Sequence, residues 1–195
     1  MVQSYLWGPP LWEALFACAF HCRKEKLDDL STLFHYHLGL LLPCEKCRAH
    51  FKTKVPKLNR MVGEFRSPGD AIRWLWLLKG EVNRTERKPN MPLVDVETLL
   101  LLSQGRVDDV RFADSLVLVA VGARKNNLED VFLEFCGHLS SLLPLPHDSS
   151  LRLHLATLRS PILTTTVSAA SATRIEHGLA PLSLKHYNTI ADETA

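Results

Sequence analysis

Apolar residues in the first half of the chain recur every three or four positions, which is the spacing of one face of an α-helix. The first such stretch follows Pro9 and Pro10. Proline is tolerated in the first turn of a helix, so we predict that the first helix begins at these two residues. It ends at a polar patch over residues 23–26. The apolar positions of this predicted first helix are Leu11, Trp12, Leu15, Phe16, Ala19 and Phe20.

Two further helices are predicted on either side of Pro43. Asp28 and Asp29 suit the first turn of the second helix, because negative charge is favoured at the N-terminal end of the helix dipole. Pro43 ends that helix and Cys44 opens a third. Pro56 is expected to stop the third helix, because proline disrupts a helix interior.

The stretch Ser67-Pro68-Gly69-Asp70 is a typical start for a fourth helix. Ser67 is the predicted N-cap, Pro68 the first helical residue, and Asp70 an acid in the first turn. No alternating strand pattern occurs between residues 7 and 89. The predicted fold class is therefore all-α, a bundle of four helices with short connections.

The second half also carries helical patterns, over residues 94–102, 107–121, 128–143 and 149–160. The apolar run within 107–121 also fits a buried strand, since a short run does not distinguish the two. From residue 161 the composition is biased toward Ser, Thr and Ala, which predicts a mobile tail.

Three regions follow from these patterns. Residues 1–90 are predicted to form the bundle, residues 91–160 a C-terminal helical extension, and residues 161–195 the tail.

The composition and charge of the chain argue against some classes of protein function. Of 195 residues, 46% are hydrophobic and 23% charged, and the net charge is +2, which argues against a dedicated nucleic-acid binder. The charge is uneven, since residues 1–89 hold 15 basic and 9 acidic residues, a net of +6. No signal peptide is recognisable, and the longest apolar run is too short to span a membrane. We therefore expect a soluble, cytoplasmic protein in a reducing compartment.

The pair Cys44 and Cys47, separated by two residues at a helix start, is the chemical centre of the sequence. A helix N-terminus and nearby cations favour the thiolate, the species that attacks disulfides. A thioredoxin-type motif would need a βαβ setting, which the helical surroundings do not offer. A zinc site would need further ligands from His35, His37 and His50, and His35 and His37 are predicted on different helix faces. The third interpretation is a redox pair held against an electron-accepting cofactor.

The other cysteines have simpler interpretations. Cys18 and Cys22, four residues apart on the first helix, are either a second redox pair or packed core residues. We favour core packing, because a disulfide within one regular helix is strained and small cysteines pack well. Core packing is also expected for Cys136.

Three blocks in order resemble the flavin-dependent sulfhydryl oxidases of the Erv/ALR type, and are most similar to members encoded by large DNA viruses. They cover residues 7–89, somewhat less than half of the chain. The blocks are Trp7-Gly8-Pro9-Pro10-Leu11-Trp12, then Pro43-Cys44-Glu45-Lys46-Cys47-Arg48-Ala49-His50-Phe51, then Trp74-Leu75-Trp76 with Glu81-Val82-Asn83-Arg84 and Lys88-Pro89.

The resemblance implies a four- to five-helix bundle of the Erv/ALR type, which binds FAD non-covalently and forms a homodimer through its first helices. It implies that substrate dithiols pass electrons to the cysteine pair, then to flavin, then to oxygen, which gives a disulfide and hydrogen peroxide. Cys44 would meet the incoming dithiol, and Cys47 would lie against the flavin. Partners would be protein dithiols or a thioredoxin-like disulfide carrier, in the host cytoplasm or virion of a virus. The cofactor-binding positions implied are Gly8, Trp12, Cys47, His50, Val82, Asn83 and Lys88.

Several positions depart from the family pattern. Phe16 replaces a usual histidine, Lys79-Gly80 replaces His-Asn, and no second CxxC pair occurs in residues 90–195. Two alternatives therefore stay open: a flavin-free member acting as a scaffold or dithiol carrier, and a zinc-binding adaptor.

A basic run follows the cysteine pair. Its default interpretation is a solvated helix face, and the alternative is a docking surface for an acidic partner. The run consists of Lys52, Lys54, Lys57 and Arg60.

Overall fold

The computed structural model describes residues 4–145, 151–152, 155 and 162–182, and it contains helices and connecting turns with no strand in that part of the chain. The predicted all-α class is confirmed. The helices are α1 (Ser4–His21), α2 (Leu27–Thr32), α3 (Leu38–Leu41), α4 (Glu45–Val62), α5 (Pro68–Thr85), α6 (Leu93–Ser103), α7 (Asp109–Lys125), α8 (Glu129–Leu142) and α9 (Ile162–Glu176). A 3-10 turn (Lys24–Lys26) precedes α2, and a π-helical segment (Leu33–His37) joins α2 to α3.

Helix α5 begins as its sequence predicts. The Ser67 hydroxyl accepts a hydrogen bond from the backbone N–H of Asp70, and the Asp70 carboxylate accepts one from the backbone N–H of Ser67. This reciprocal capping box satisfies N–H groups that have no partner inside the helix. Pro68 occupies the first turn, where its missing N–H is harmless.

Two proline predictions are wrong. Helix α1 begins at Ser4, so Pro9 and Pro10 lie inside it, and α4 continues through Pro56 to Val62. A proline in a helix interior costs about 3 kcal/mol. In α4 the cost is offset because the buried side chains Phe51, Val55 and Leu58 lie on both sides of the exposed proline and pack into the core.

The second half differs from two of its predictions. Residues 109–125 are helical, so the strand alternative for 107–121 is wrong, and every residue from Ser115 to Ala123 is buried. Residues 162–176, which the composition assigned to a mobile tail, form α9, and Thr166 and Ala170 of α9 are buried. The predicted helix over 149–160 lies largely outside the described residues, as does the end of the tail. Helices α6 and α8 match their predictions.

Helix α1 lies at the centre of the fold. It packs against α5, α7 and α8, while α4 packs on α5 and α9 packs on α7. Buried apolar residues from both halves form one cluster, which extends from Trp7 to Ala170. The proposed boundary near residue 90 stays a prediction, and so does the homodimer. Among the described side chains of α1, only Pro9, Glu13 and His21 are exposed.

No helix in the described ranges combines the length and the apolar character needed to cross a membrane.

Candidate functional site

Cys44 and Cys47 form a disulfide at the N-terminus of α4, with their Cα atoms 5.1 Å apart. Cys44 is the N-cap residue, and its Sγ accepts a hydrogen bond from the backbone N–H of Cys47 at 3.3 Å. Both side chains are half-buried. The sulfur of Cys44 therefore occupies the place of a capping oxygen, at the positive end of the helix dipole, where negative charge is stabilised.

The turn before the disulfide is held from two sides. The Arg48 guanidinium donates to the carbonyl of Leu42 at 2.7 Å, across the turn. On the other side, α7 approaches so closely that a Cβ built on Gly122 would lie 3.2 Å from the Cα of Pro43. A helix from the second half of the chain thus supports the residue that precedes Cys44.

A cavity of about 390 Å³ lies beside the disulfide, between α1, α4 and α5. Cys47 lines this cavity, whereas Cys44 is not among its lining residues. The structure brings together around it all seven positions that the sequence assigned to cofactor binding. These are Gly8, Trp12, Cys47, His50, Val82, Asn83 and Lys88.

The wall formed by α3 and α4 depends on Gly39. A Cβ at this position would lie 2.6 Å from a ring carbon of Phe51, which is itself buried and lines the cavity. Glycine therefore allows the Phe51 ring to lie against the backbone of α3.

The end of α5 fixes Lys88. Arg87 adopts a left-handed conformation with φ of 56°, and the N–H of Lys88 donates to the carbonyl of Asn83 at 2.8 Å. This is the hydrogen-bond pattern of a Schellman helix end. The Asn83 amide also donates to the carbonyl of Pro89 at 3.1 Å. Asn83 thereby holds the loop that returns Lys88 to the cavity wall.

Gly80, one of the departures from the family pattern, lies under this loop. A Cβ at Gly80 would come within 2.9 Å of the side-chain nitrogen of Asn90. Trp76 also fastens the loop, since its indole N–H donates to the carbonyl of Met91 at 2.7 Å. The glycine thus accommodates the close approach of the loop to α5.

The other departures, Phe16 and Lys79, contact each other. The Lys79 ammonium lies 5.8 Å from the centre of the Phe16 ring, within cation–π range. Burial lowers the pKa of Lys79, although nearby Glu13 acts in the opposite direction. Lys79 lines the cavity, so a partly desolvated cation faces this space.

The cofactor-binding positions assigned from the sequence leave out other residues that line the cavity, among them Trp7, Lys46 and Lys79. The indole Nε1 of Trp7 is buried and has no hydrogen-bond partner among the described residues. Trp7 and Lys46 belong to the family-like blocks, and their place in those blocks was the available signal.

The remaining cysteines behave as predicted. Cys18, Cys22 and Cys136 are free and buried in the core. Burial raises the pKa of all three thiols, which keeps them protonated and unreactive near neutral pH.

The histidines considered as zinc ligands do not converge. His35 contacts the rings of Phe65 and Trp74, whereas His37 lies against Glu134 of α8 at 3.1 Å. Across the described ranges, no group of three or more His, Cys, Asp or Glu side chains is arranged to hold a metal ion.

The part of the chain that carries the disulfide and the cavity is similar to a known protein family. Residues 9–99 match the model of the Erv1/Alr family. This match supports the Erv/ALR family for the first half of the chain, and it includes the disulfide and every predicted cofactor-binding position except Gly8. No curated protein and no solved structure matches the chain.

Proposed function

We propose that the protein is an FAD-dependent sulfhydryl oxidase, which converts substrate dithiols into disulfides and reduces oxygen to hydrogen peroxide. The observation that carries the proposal is the position of the Cys44–Cys47 disulfide, with Cys47 in the wall of a cavity and Cys44 outside it. A redox pair with one sulfur facing a cofactor space and one facing away can exchange electrons on both sides.

The residues of the cavity fit FAD. The cavity volume lies within the range of small-molecule sites, and aromatic side chains line it beside Cys47. Trp7 offers a buried N–H that lacks an acceptor, and Lys79 offers a desolvated cation that an anionic group would stabilise. Lys46 and Lys88 add two further cations for a phosphate-bearing ligand.

The thiol chemistry requires two exchange steps. A substrate thiolate attacks the Cys44 sulfur, which breaks the Cys44–Cys47 bond, forms a mixed disulfide and leaves Cys47 as a thiolate. The second substrate thiolate then attacks the substrate sulfur of the mixed disulfide and expels Cys44. The substrate leaves as a disulfide, and the protein retains two electrons as the Cys44 and Cys47 dithiol.

The position of Cys44 at the helix N-cap favours the second step. The leaving thiolate develops at the helix N-terminus, next to the backbone N–H of Cys47 that already donates to this sulfur. A stabilised thiolate is a better leaving group. Lys46 lies between the two cysteines in sequence and adds a positive charge to the same turn.

Reoxidation of the dithiol removes two electrons and two protons. When bound, FAD supplies the acceptor for these electrons and passes them to oxygen. Trp12, His50, Val82, Asn83 and Lys88 would hold the cofactor, with Gly8 at the same wall. His50 is oriented by a 3.4 Å contact between its Nε2 and the hydroxyl of Thr85.

The test is the visible absorption spectrum of the purified full chain, before and after addition of a dithiol with and without air. We expect a flavin spectrum that bleaches under anaerobic conditions and returns on admission of oxygen. Cys47→Ser should abolish dithiol oxidation and keep the bound flavin, whereas Cys136→Ala should keep both. A colourless protein that takes up no added FAD would overturn the proposal and favour the flavin-free scaffold or dithiol carrier.

A further inference from the structure

The exposed side of α4 carries cations that begin beside the Cys44–Cys47 pair. This surface, the α4 basic face, consists of Lys46, Lys57 and Arg60, all exposed. Lys46, at the end nearest the disulfide, also lines the cavity. Within the described part of the chain, none of the three forms a salt bridge. The single acidic residue among the exposed positions of α4 is Glu45.

Lys54, another cation of α4, differs from the α4 basic face because it has an ion-pair partner. Lys54 lies on the side of α4 that faces α5, and it pairs with Glu81 at 3.1 Å. The Glu81 carboxylate also binds Arg84, so it is shared between two cations. Among the described residues, the cations of the α4 basic face have no such ion-pair partner.

The α4 basic face has a defined direction relative to the disulfide. Lys46 lies between the cysteines, and Lys57 follows eleven residues later, which is close to three full helical turns and hence the same side of α4. At 1.5 Å per residue, Lys57 and Arg60 lie about 16 Å and about 21 Å along the axis from Lys46. The positive charge thus extends as a stripe away from the reacting sulfurs.

We propose that the α4 basic face binds an acidic segment of a protein substrate and so directs the dithiol of that substrate to Cys44. The inference rests on the proposed oxidase function and names its substrate class. An extended chain advances about 3.3 Å per residue, so the complementary acids would lie about five to seven residues from the substrate cysteines. Because these cations are exposed to solvent, their charges act mainly on the rate at which the substrate meets the protein.

The experiment compares two synthetic peptides, each with the same cysteine pair. One peptide carries Glu at the fifth, sixth and seventh positions from the nearer cysteine, and the other carries Gln there. We expect the acidic peptide to be oxidised with a kcat/KM about tenfold higher at low salt. The advantage should disappear at about 0.5 M salt, where charges are screened within a few ångströms.

Substitutions test whether the faster oxidation of the acidic peptide depends on the α4 basic face. Lys57→Gln combined with Arg60→Gln should remove the advantage of the acidic peptide, and should leave the rates with the Gln peptide and with dithiothreitol unchanged. Lys24→Gln combined with Arg73→Gln removes two exposed cations elsewhere and should preserve the advantage. Equal rates for the two peptides, or an equal loss with both in the α4 variant, would overturn the inference.

A binding measurement separates this inference from the oxidase proposal. The same two peptides with Ser in place of Cys, carrying a fluorescent label, can be titrated with the full chain and followed by anisotropy. If no dithiol is oxidised by any variant but the acidic peptide still binds more tightly and depends on Lys57 and Arg60, the oxidase proposal fails and the docking surface stands. If both peptides bind equally, the docking surface fails whatever the activity.

Discussion

Gly122 of α7 contacts Pro43, the residue that precedes Cys44 of the Cys44–Cys47 disulfide. A methyl group at position 122 would lie 3.2 Å from the Pro43 Cα, closer than side chains normally approach a backbone atom. The contact joins residues that are 79 positions apart. It makes the second half of the chain part of the support for the disulfide.

Gly122→Ala is therefore expected to move Pro43 and to change the reactivity of the cysteine pair. The close contact opposes the gain of about 0.5–1 kcal/mol that a Gly→Ala change in a helix otherwise brings, so we expect no increase in the free energy of unfolding. It should also shift the reduction potential of the Cys44–Cys47 disulfide, measured by equilibration with dithiothreitol. Gly137→Ala, at an exposed position of α8 where nothing lies within 4 Å of the added Cβ, should instead stabilise the protein by about 0.5–1 kcal/mol and leave the potential unchanged. An unchanged potential in Gly122→Ala would show that the contact supports the fold alone.

Gly39→Ala tests the cavity wall. The new methyl group would overlap the Phe51 ring, because ring carbons lie 2.6 Å from its position. We expect a loss of about 1–3 kcal/mol in the free energy of unfolding, and weaker uptake of added FAD, since Phe51 lines the cavity. Adding Phe51→Leu to Gly39→Ala should recover part of the stability by making room. Failure of this double variant to recover any stability would place the strain elsewhere.

The capping box of α5 predicts a pH dependence. Burial acts to raise the pKa of Asp70, but hydrogen bonds from the Ser67 hydroxyl and from the backbone N–H groups of Arg66 and Ser67 outweigh it and lower the pKa below its ordinary value of 3.8. The stabilisation is therefore present above that value and is lost as the pH falls through the lower folded value. Ser67→Ala should cost about 1 kcal/mol at pH 6, and its difference from the natural protein should shrink at about pH 2–3.

Urea denaturation at the two pH values measures this difference. Ser140→Ala, which removes a hydroxyl that donates to the Gly137 carbonyl within α8, should show the same small effect at both. A gap between Ser67→Ala and the natural protein that stays constant with pH would exclude the Asp70 carboxylate as its source.

The cysteines predict a simple labelling pattern. Of the five cysteines, two are joined in the Cys44–Cys47 disulfide, and the other three are buried thiols with raised pKa values. Iodoacetamide should modify none in the native protein, two after mild reduction, and five after reduction and unfolding. Mass spectrometry counts the adducts. Modification of Cys18 or Cys22 in the folded protein would revive the hypothesis of a second redox pair on α1.

Much of this architecture is local in origin and could be predicted from local sequence. The capping box at Ser67, the N-cap position of Cys44 and the helical periods of α6 and α8 depend on residues within one or two turns. The set of positions predicted to bind the cofactor came from the family resemblance, because the spacing of residues in the sequence does not show that α1, α4 and α5 lie together.

The errors have a tertiary cause. Pro56 was expected to break α4, but packing on both sides of it maintains the helix. Residues 162–176 have a weak apolar pattern, yet they form α9 against α7. No pattern in the neighbouring sequence predicts the contact between Gly122 and Pro43, because the contact depends on how α7 packs against the first half of the chain.

The packing of α7 on α1 has a consequence for how the protein can be divided. A fragment cut at residue 99, where the family match ends, would expose the apolar side of α1 that α7 covers and would lose the support of Pro43. Such a fragment would be prone to self-association, so expression of this enzyme candidate calls for the chain through α9.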